Sequence, residues 1–261
     1  MQFESNILLS EAVTQMTGAI AEILSDCKPS VYLYGSTTLD DFKYGWSDID
    51  ILVLTQKVIS DEQANELVFL RQKMAEEYQN NQYFRSFEGG MLSVSGFMDR
   101  TPDRVVYWGT SGQRITDFYV FDSFSMAELL ENGILLFGDD VRGDFKYPAY
   151  ESFHLDVEKH YNAIRRYAQI TDRSLYSFGW LLDIARCIYT LRTGKIIAKT
   201  KAGEWSLENA ICPVPTELKK ALSVRKNPTE YLKDTVTFDY AETLGPAIQK
   251  FADVLEKELN K

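Results

Sequence analysis

The chain has little of what disulfide-stapled or zinc-built domains need. Its 261 residues include three cysteines, Cys27, Cys187 and Cys212, and two histidines, His154 and His160. An odd number of widely spaced thiols makes no disulfide framework and fits a reducing compartment, so a cytoplasmic location is expected. The histidines are six apart, which is not the i, i+4 spacing that puts two ligands on one helix face, so no zinc site is expected. Long apolar runs are missing too. None approaches the roughly 20 residues needed to cross a bilayer, and the start, Met1-Gln2-Phe3-Glu4-Ser5-Asn6, lacks the basic segment of a secretory signal. Positive charge is short: 28 Lys and Arg stand against 38 Asp and Glu, a net charge of −10. That balance argues against a nucleic-acid partner, which usually selects a basic face. It suits a cationic small molecule, which an acidic surface attracts through its field. Neither the Walker Gly-x4-Gly-Lys loop nor the Rossmann Gly-x-Gly-x-x-Gly loop occurs, so any phosphate must be held another way.

One pattern supplies that other way. Val31-Tyr32-Leu33-Tyr34 is a strand-like run ending in Gly35-Ser36, and after a short gap comes Ser47-Asp48-Ile49-Asp50. Residues i and i+2 of a strand point to the same side, so Asp48 and Asp50 project together beside the Gly35-Ser36 turn. Gly35 lets a triphosphate approach the backbone closely, and Ser36 offers a hydroxyl and an amide hydrogen to its oxygens. Magnesium takes hard oxygen ligands, usually one or two carboxylates with phosphates and waters completing the shell. Two carboxylates on one face suit a pair of such ions about 4 Å apart, clamping the attacking and leaving oxygens of an in-line displacement. Ile49, Ile51 and Val53 on the other face anchor the strand in a core. The pattern therefore points to a site for Mg2+ (two ions) and a nucleotide triphosphate.

These residues resemble the signature of the nucleotidyltransferase superfamily, which includes DNA polymerase beta, poly(A) polymerase and the aminoglycoside nucleotidyltransferases. Further along, Thr193-Gly194-Lys195-Ile196, then Lys199, Ala202 and Trp205, resemble a block of the streptomycin/spectinomycin adenylyltransferases. The resemblance runs from about Val31 to Trp205. It implies transfer of AMP from ATP to a hydroxyl of a small molecule, an aminoglycoside first, with release of pyrophosphate. It implies that Lys199 contacts nucleotide phosphates, with Arg186 and Lys195 as further cations. It also implies a third carboxylate, the general base, where Phe87-Glu88 falls. Here the chain departs from the family, because Gly89 and Gly90 follow Glu88 where β-branched residues are usual. They make either a bulge that re-aims Glu88 or a turn that takes it out of the site. A second departure is Tyr176-Ser177 in place of an acidic pair that meets the drug; the nearby acids Asp172 and Asp183 do not align with it. The acceptor is expected between two domains. Two other readings remain at this point: transfer to a protein side chain or other metabolite, and a paralogue that binds nucleotide without turning it over.

The chain is long enough for one or two domains. Residues 1–148 read as an α/β nucleotidyltransferase domain with a mixed sheet, and 149–261 as an α-helical bundle domain. In the first, apolar spacing predicts helices over Ser10–Ser25 and Ser125–Asn132, and a helix capped by Ser60 and Gln63 that carries Leu67, Leu70, Met74 and Tyr78 on one face. Strands are predicted at Met91–Met98, Phe118–Phe121 and Ile134–Phe137. Asp40 and Asp41 read as solvated turn carboxylates, and Trp108 as a half-buried residue of a sheet rim. In the second, helices are predicted over His154–Ile170, Ser174–Arg192, Pro215–Val224 and Tyr240–Leu259, with Trp205 in the core.

Overall fold

The computed structural model describes residues 6–109 and 112–261. They fall into two compact units, one of residues up to Phe42 with Asp48–Tyr147, the other of Lys43–Ser47 with Pro148–Lys261. Among the described residues no helix is long and apolar enough to cross a membrane.

The first unit is a six-stranded mixed sheet. Its strands are β1 (Pro29–Tyr34), β2 (Ile49–Thr55), β3 (Phe87–Ser93), β4 (Val105–Gly109), β5 (Gly112–Thr116) and β6 (Ile134–Phe137), in the order β5-β4-β3-β2-β1-β6. β2 and β3 run parallel and the other neighbours antiparallel. A parallel pair needs a long crossover, and helix α2 (Asp61–Glu77) supplies it. Its start is the expected capping box, with Ser60 Oγ accepting from the Gln63 amide and Gln63 Oε1 from the Ser60 amide. Helix α1 (Ile7–Ile23) begins at Asn6, whose side chain accepts from the Leu9 amide.

The sheet has two unlike faces. One carries Val31, Leu33, Ile51, Val53 and Met91, all buried. The other carries Tyr32, Tyr34, Leu52, Leu54, Leu92 and Val105, closed by Leu129 of helix α4 (Ser123–Asn132) and by Tyr119 and Phe121. Asp50 and Glu88 lie in this second set by the pleat, at the end where the apolar run stops.

Several expected elements differ. Met91–Met98 is not one strand: β3 ends at Ser93, whose hydroxyl caps helix α3 (Val94–Asp99) by accepting from the Gly96 amide. Phe118–Phe121 pairs with no strand among the described residues. Its side chains still alternate, Tyr119 and Phe121 inward and Phe118 and Val120 outward, because the segment lies across the sheet face rather than along its edge. Trp108 is fully buried, its Nε1 donating to the Leu67 carbonyl at 2.9 Å, and does not sit on a rim. Asp41 is buried, and its amide donates to the Ser36 carbonyl at 3.0 Å, so of the two turn carboxylates only Asp40 is exposed.

The second unit is helical: α5 (Tyr150–Tyr167), α6 (Gly179–Thr193), α7 (Lys199–Glu208), α8 (Pro215–Lys226), α9 (Pro228–Tyr231), α10 (Thr235–Glu242) and α11 (Gly245–Leu259). Leu181, Leu182, Ala185 and Ile188 of α6 and Ile248, Phe251 and Leu255 of α11 are fully buried, as their spacing predicts. Trp205 is half-buried, packed edge-on against Tyr189. The expected helix over Tyr240–Leu259 breaks into α10 and α11. Pro246 cannot donate to the preceding turn, and Gly245 lies so close to the Gln169 carbonyl that a Cβ would come within 2.1 Å of its oxygen. The loop Lys43–Ser47 belongs here: buried Trp46 lies 6.0 Å from the Tyr176 ring, with the Arg225 guanidinium 5.7 Å from its own ring.

Candidate active site

The site is built at the start of two parallel strands. β2 opens at Ile49, whose amide donates to the Ser86 carbonyl at 2.7 Å and so locks the strand beside β3 from its first residue. In that register Asp50 pairs with Glu88 on one side and with Tyr34 on the other. Paired residues of neighbouring strands project to the same face. The Glu88 carboxylate therefore stands next to that of Asp50, with Asp48 one step before the strand.

The two glycines after Glu88 do not form a turn. Both lie inside β3, and each solves a packing problem. Gly89 has φ +150°, and a Cβ there would come within 1.8 Å of the Ile51 carbonyl oxygen. Gly90 makes room for the Tyr119 ring, which a Cβ would meet at 2.4 Å.

Gly35 and Ser36 begin a single helical turn, Gly35–Thr37, directly after β1. Gly35 has φ +72°, and the space a Cβ would need holds the Asp50 carboxylate. The turn is tied down by Thr37 Oγ1, which donates to the Tyr34 carbonyl, and Thr38 Oγ1, which donates to that of Gly35. Ser36 Oγ is buried and has no hydrogen-bond partner among the described residues. Such a group costs free energy unless something else satisfies it.

Three residues that sequence reasoning passed over surround the carboxylates. Tyr107 of β4 donates from its hydroxyl to Glu88 Oε1 at 3.0 Å. Arg71 of α2 donates to the carbonyls of Phe87 at 2.6 Å and Gly109 at 3.3 Å. Burial pulls the Arg71 guanidinium below its ordinary value, while the charges of Glu88 and Asp48 hold it up. Tyr119 is hydrogen-bonded to Tyr34; burial raises the pKa of both phenols, and the charge of Asp50 adds to it. Periodicity marks Arg71 only as polar on an amphipathic helix, and nothing in a single sequence pairs it with Glu88.

The donor set suits magnesium: hard carboxylate oxygens at Asp48 and Asp50, beside a buried hydroxyl that lacks a partner. Among the described residues no three His, Cys, Asp or Glu side chains come close enough to hold a metal by themselves. The rest of a magnesium shell would come from phosphate and water oxygens.

The cations of the helical unit form a separate group. Lys199, the first residue of α7, places Nζ 2.9 Å from Asp183 Oδ1, and Arg186 Nη2 lies 3.9 Å from the same oxygen. Burial would raise the Asp183 pKa, but Lys199 and Arg186 outweigh it and hold this carboxyl below its ordinary range. Lys195 is not in this group. It is exposed in the loop after Gly194, with its amide bonded to Thr193 Oγ1 and its carbonyl to Thr190 Oγ1.

Residues 17–85 match the family model described as nucleotidyltransferase domain, and residues 158–257 the one described as aminoglycoside adenylyltransferase, C-terminal domain. No curated protein matches the chain. Among solved structures it is similar to the spectinomycin adenyltransferase AAD(9) from Enterococcus faecialis with ATP and spectinomycin. The TM-score is 0.65 at 16% identity, covering 95% of this chain and 99% of that one, a likeness that carries the fold.

Proposed function

We propose, from the premise that this chain is an aminoglycoside nucleotidyltransferase, that it moves AMP from ATP to a hydroxyl of an aminoglycoside and releases pyrophosphate. The register of Glu88 with Asp50, backed by Gly35, is the observation that carries the reading. Spectinomycin is the first acceptor to try, because the similar solved structure is described with ATP and spectinomycin.

Each residue has a role that its chemistry supports. Glu88 accepts the proton of the acceptor hydroxyl, within reach on the same sheet face as Asp50. The freed oxygen attacks the α-phosphorus of ATP; the bond to the bridging oxygen of the β-phosphate breaks, and pyrophosphate leaves. Ser36 Oγ donates to a phosphate oxygen, which satisfies its hydrogen-bonding capacity. Asp48 and Asp50 are the residues that would hold Mg2+, two ions by analogy with in-line displacements, which neutralise charge on the reacting phosphate. Lys199 and Arg186 serve the nucleotide phosphates, with Asp183 ordering both before ATP arrives. Lys195 is the weakest of the proposed cations, given its exposure. Catalysis then comes from positioning and charge neutralisation rather than covalent chemistry.

The test is incubation with ATP, Mg2+ and a panel of aminoglycosides while pyrophosphate is measured. Release is expected with wild type and its loss with Asp50→Ala or on adding EDTA. Full activity in Asp50→Ala would sink the metal assignment. A nucleotide-binding paralogue without turnover loses its main support, since the glycines that suggested it sit within an intact strand.

A further inference from the structure

Beyond the carboxylates themselves, the sheet carries a device that aims one of them. We propose that Tyr107 is the positioning residue for the Glu88 base: its hydroxyl fixes which Glu88 oxygen is turned away from the acceptor and which is left to take the proton. The inference rests on the transfer reading given above.

Four observations converge on it. Tyr107 sits on β4 opposite Gly90 of β3, two residues beyond Glu88, and reaches back along the face to Glu88 Oε1 at 3.0 Å. A hydrogen bond to one carboxylate oxygen leaves the other oxygen as the open acceptor. The ring that carries the hydroxyl is itself held. Gly109 clears space for it, since a Cβ there would come within 2.5 Å of Tyr107 Cε1. The Arg114 guanidinium covers it at 4.5 Å from the ring centre, and the Tyr119 ring stands at 6.4 Å. Finally, the backbone on either side is pinned by one side chain. Arg71 donates to Phe87, the residue before Glu88, and to Gly109, two residues after Tyr107. Base and tyrosine are thus referenced to the same guanidinium. Burial, with the charge of Glu88 beside it, raises the Tyr107 pKa, which keeps the phenol a neutral donor under working conditions.

Tyr107→Phe keeps the ring and removes only the donor. Its expected effect is a fall in kcat of about 10- to 100-fold, the range for misplacing a reacting group, with the KM values for ATP and acceptor unchanged and a lower melting temperature from the lost hydrogen bond. Because Tyr107 acts through Glu88, the double variant with Glu88→Gln should be no slower than Glu88→Gln alone. Losses that multiply, or a change confined to KM, would overturn the proposal. A second arm needs no turnover: with 3-fluorotyrosine at position 107, the fluorine NMR resonance should shift in the Glu88→Gln background. An unmoved resonance overturns the contact. A wild-type enzyme that releases no pyrophosphate with any acceptor, while that resonance does shift, sinks the transfer reading and with it the base that Tyr107 would serve, although the contact stands.

Discussion

Gly35 and Asp50 share one small volume: a Cβ on Gly35 would lie 2.1 Å from Asp50 Oδ2 and 2.8 Å from its Cγ. The backbone turn and the carboxylate are thereby one structure. The atom in the way is the far end of a side chain, so in Gly35→Ala the carboxylate moves and the strand stays. Stability should fall by about 1–2 kcal/mol, the cost of a left-handed conformation for a residue with a Cβ. The rate should fall further, since a shift of about 1 Å in a reacting geometry can cost 10²-fold. Thermal melting and pyrophosphate release on the same preparation separate the two effects. A variant that is destabilised yet fully active would show that Asp50 has no metal to hold.

Ser36 makes the opposite prediction about stability. Its hydroxyl is buried with no partner among the described residues, so Ser36→Ala removes an unsatisfied group rather than a bond. Melting should be unchanged or slightly higher. The KM for ATP should rise about 10- to 150-fold, matching a lost hydrogen bond to a charged group of roughly 1.5–3 kcal/mol. Unchanged KM would mean that this hydroxyl meets no phosphate.

Much of this was legible in the residues themselves. The strand into Gly35-Ser36 and the twin aspartates are local in sequence, and alternation is what makes one side for Asp48 and Asp50 the expectation; only Asp50 lies within β2, with Asp48 just before it. The capping box at Ser60 and the apolar faces of α6 and α11 are equally local. Glu88 was not legible in the same way, because its meaning depends on register with a strand far from it in sequence, and the two glycines after it read as a break. They are required by the Ile51 carbonyl and the Tyr119 ring, partners that no spacing rule names. Phe118–Phe121 misled for the converse reason: it alternates as a strand does, but it covers a face instead of pairing. Arg71 and Tyr107 stayed hidden because a polar residue on a helix and an aromatic on a strand are ordinary until the fold brings both to Glu88.

Asp183 gives a pH-dependent prediction for the helical unit. Lys199 and Arg186 hold its pKa below the unfolded value despite burial. A carboxyl depressed in the folded state adds stability above its unfolded pKa, about 3.9 for aspartate, and loses it as pH falls through the folded value. Asp183→Asn should therefore be less stable than wild type near neutral pH, by about 1.5–3 kcal/mol if the Lys199 bond behaves as a charged hydrogen bond. The gap should close as the buffer is taken below the ordinary carboxylate range. Urea unfolding of both proteins across that range checks it. A gap that persists in acid would assign the loss to packing instead of charge.

Arg71 distinguishes a fork from a point charge. Its two Nη groups bond the carbonyls of Phe87 and Gly109, so one planar side chain ties the start of β3 to the end of β4. An ammonium can satisfy one of those carbonyls but has no rigid fork to span both. Arg71→Lys should thus keep positive charge beside Glu88 and Asp48 and still lose about 1–3 kcal/mol, the cost of leaving a buried acceptor unpaired. Arg71→Ala should lose more, since both carbonyls are then unpaired and the charge is gone. The catalytic consequence follows the geometry: with Phe87 released, Glu88 drifts relative to Asp50, and kcat falls in the lysine variant even though the local charge is unaltered. Equal kcat for Arg71→Lys and wild type, alongside a lowered melting temperature, would show that Arg71 stabilises the sheet without setting the carboxylates.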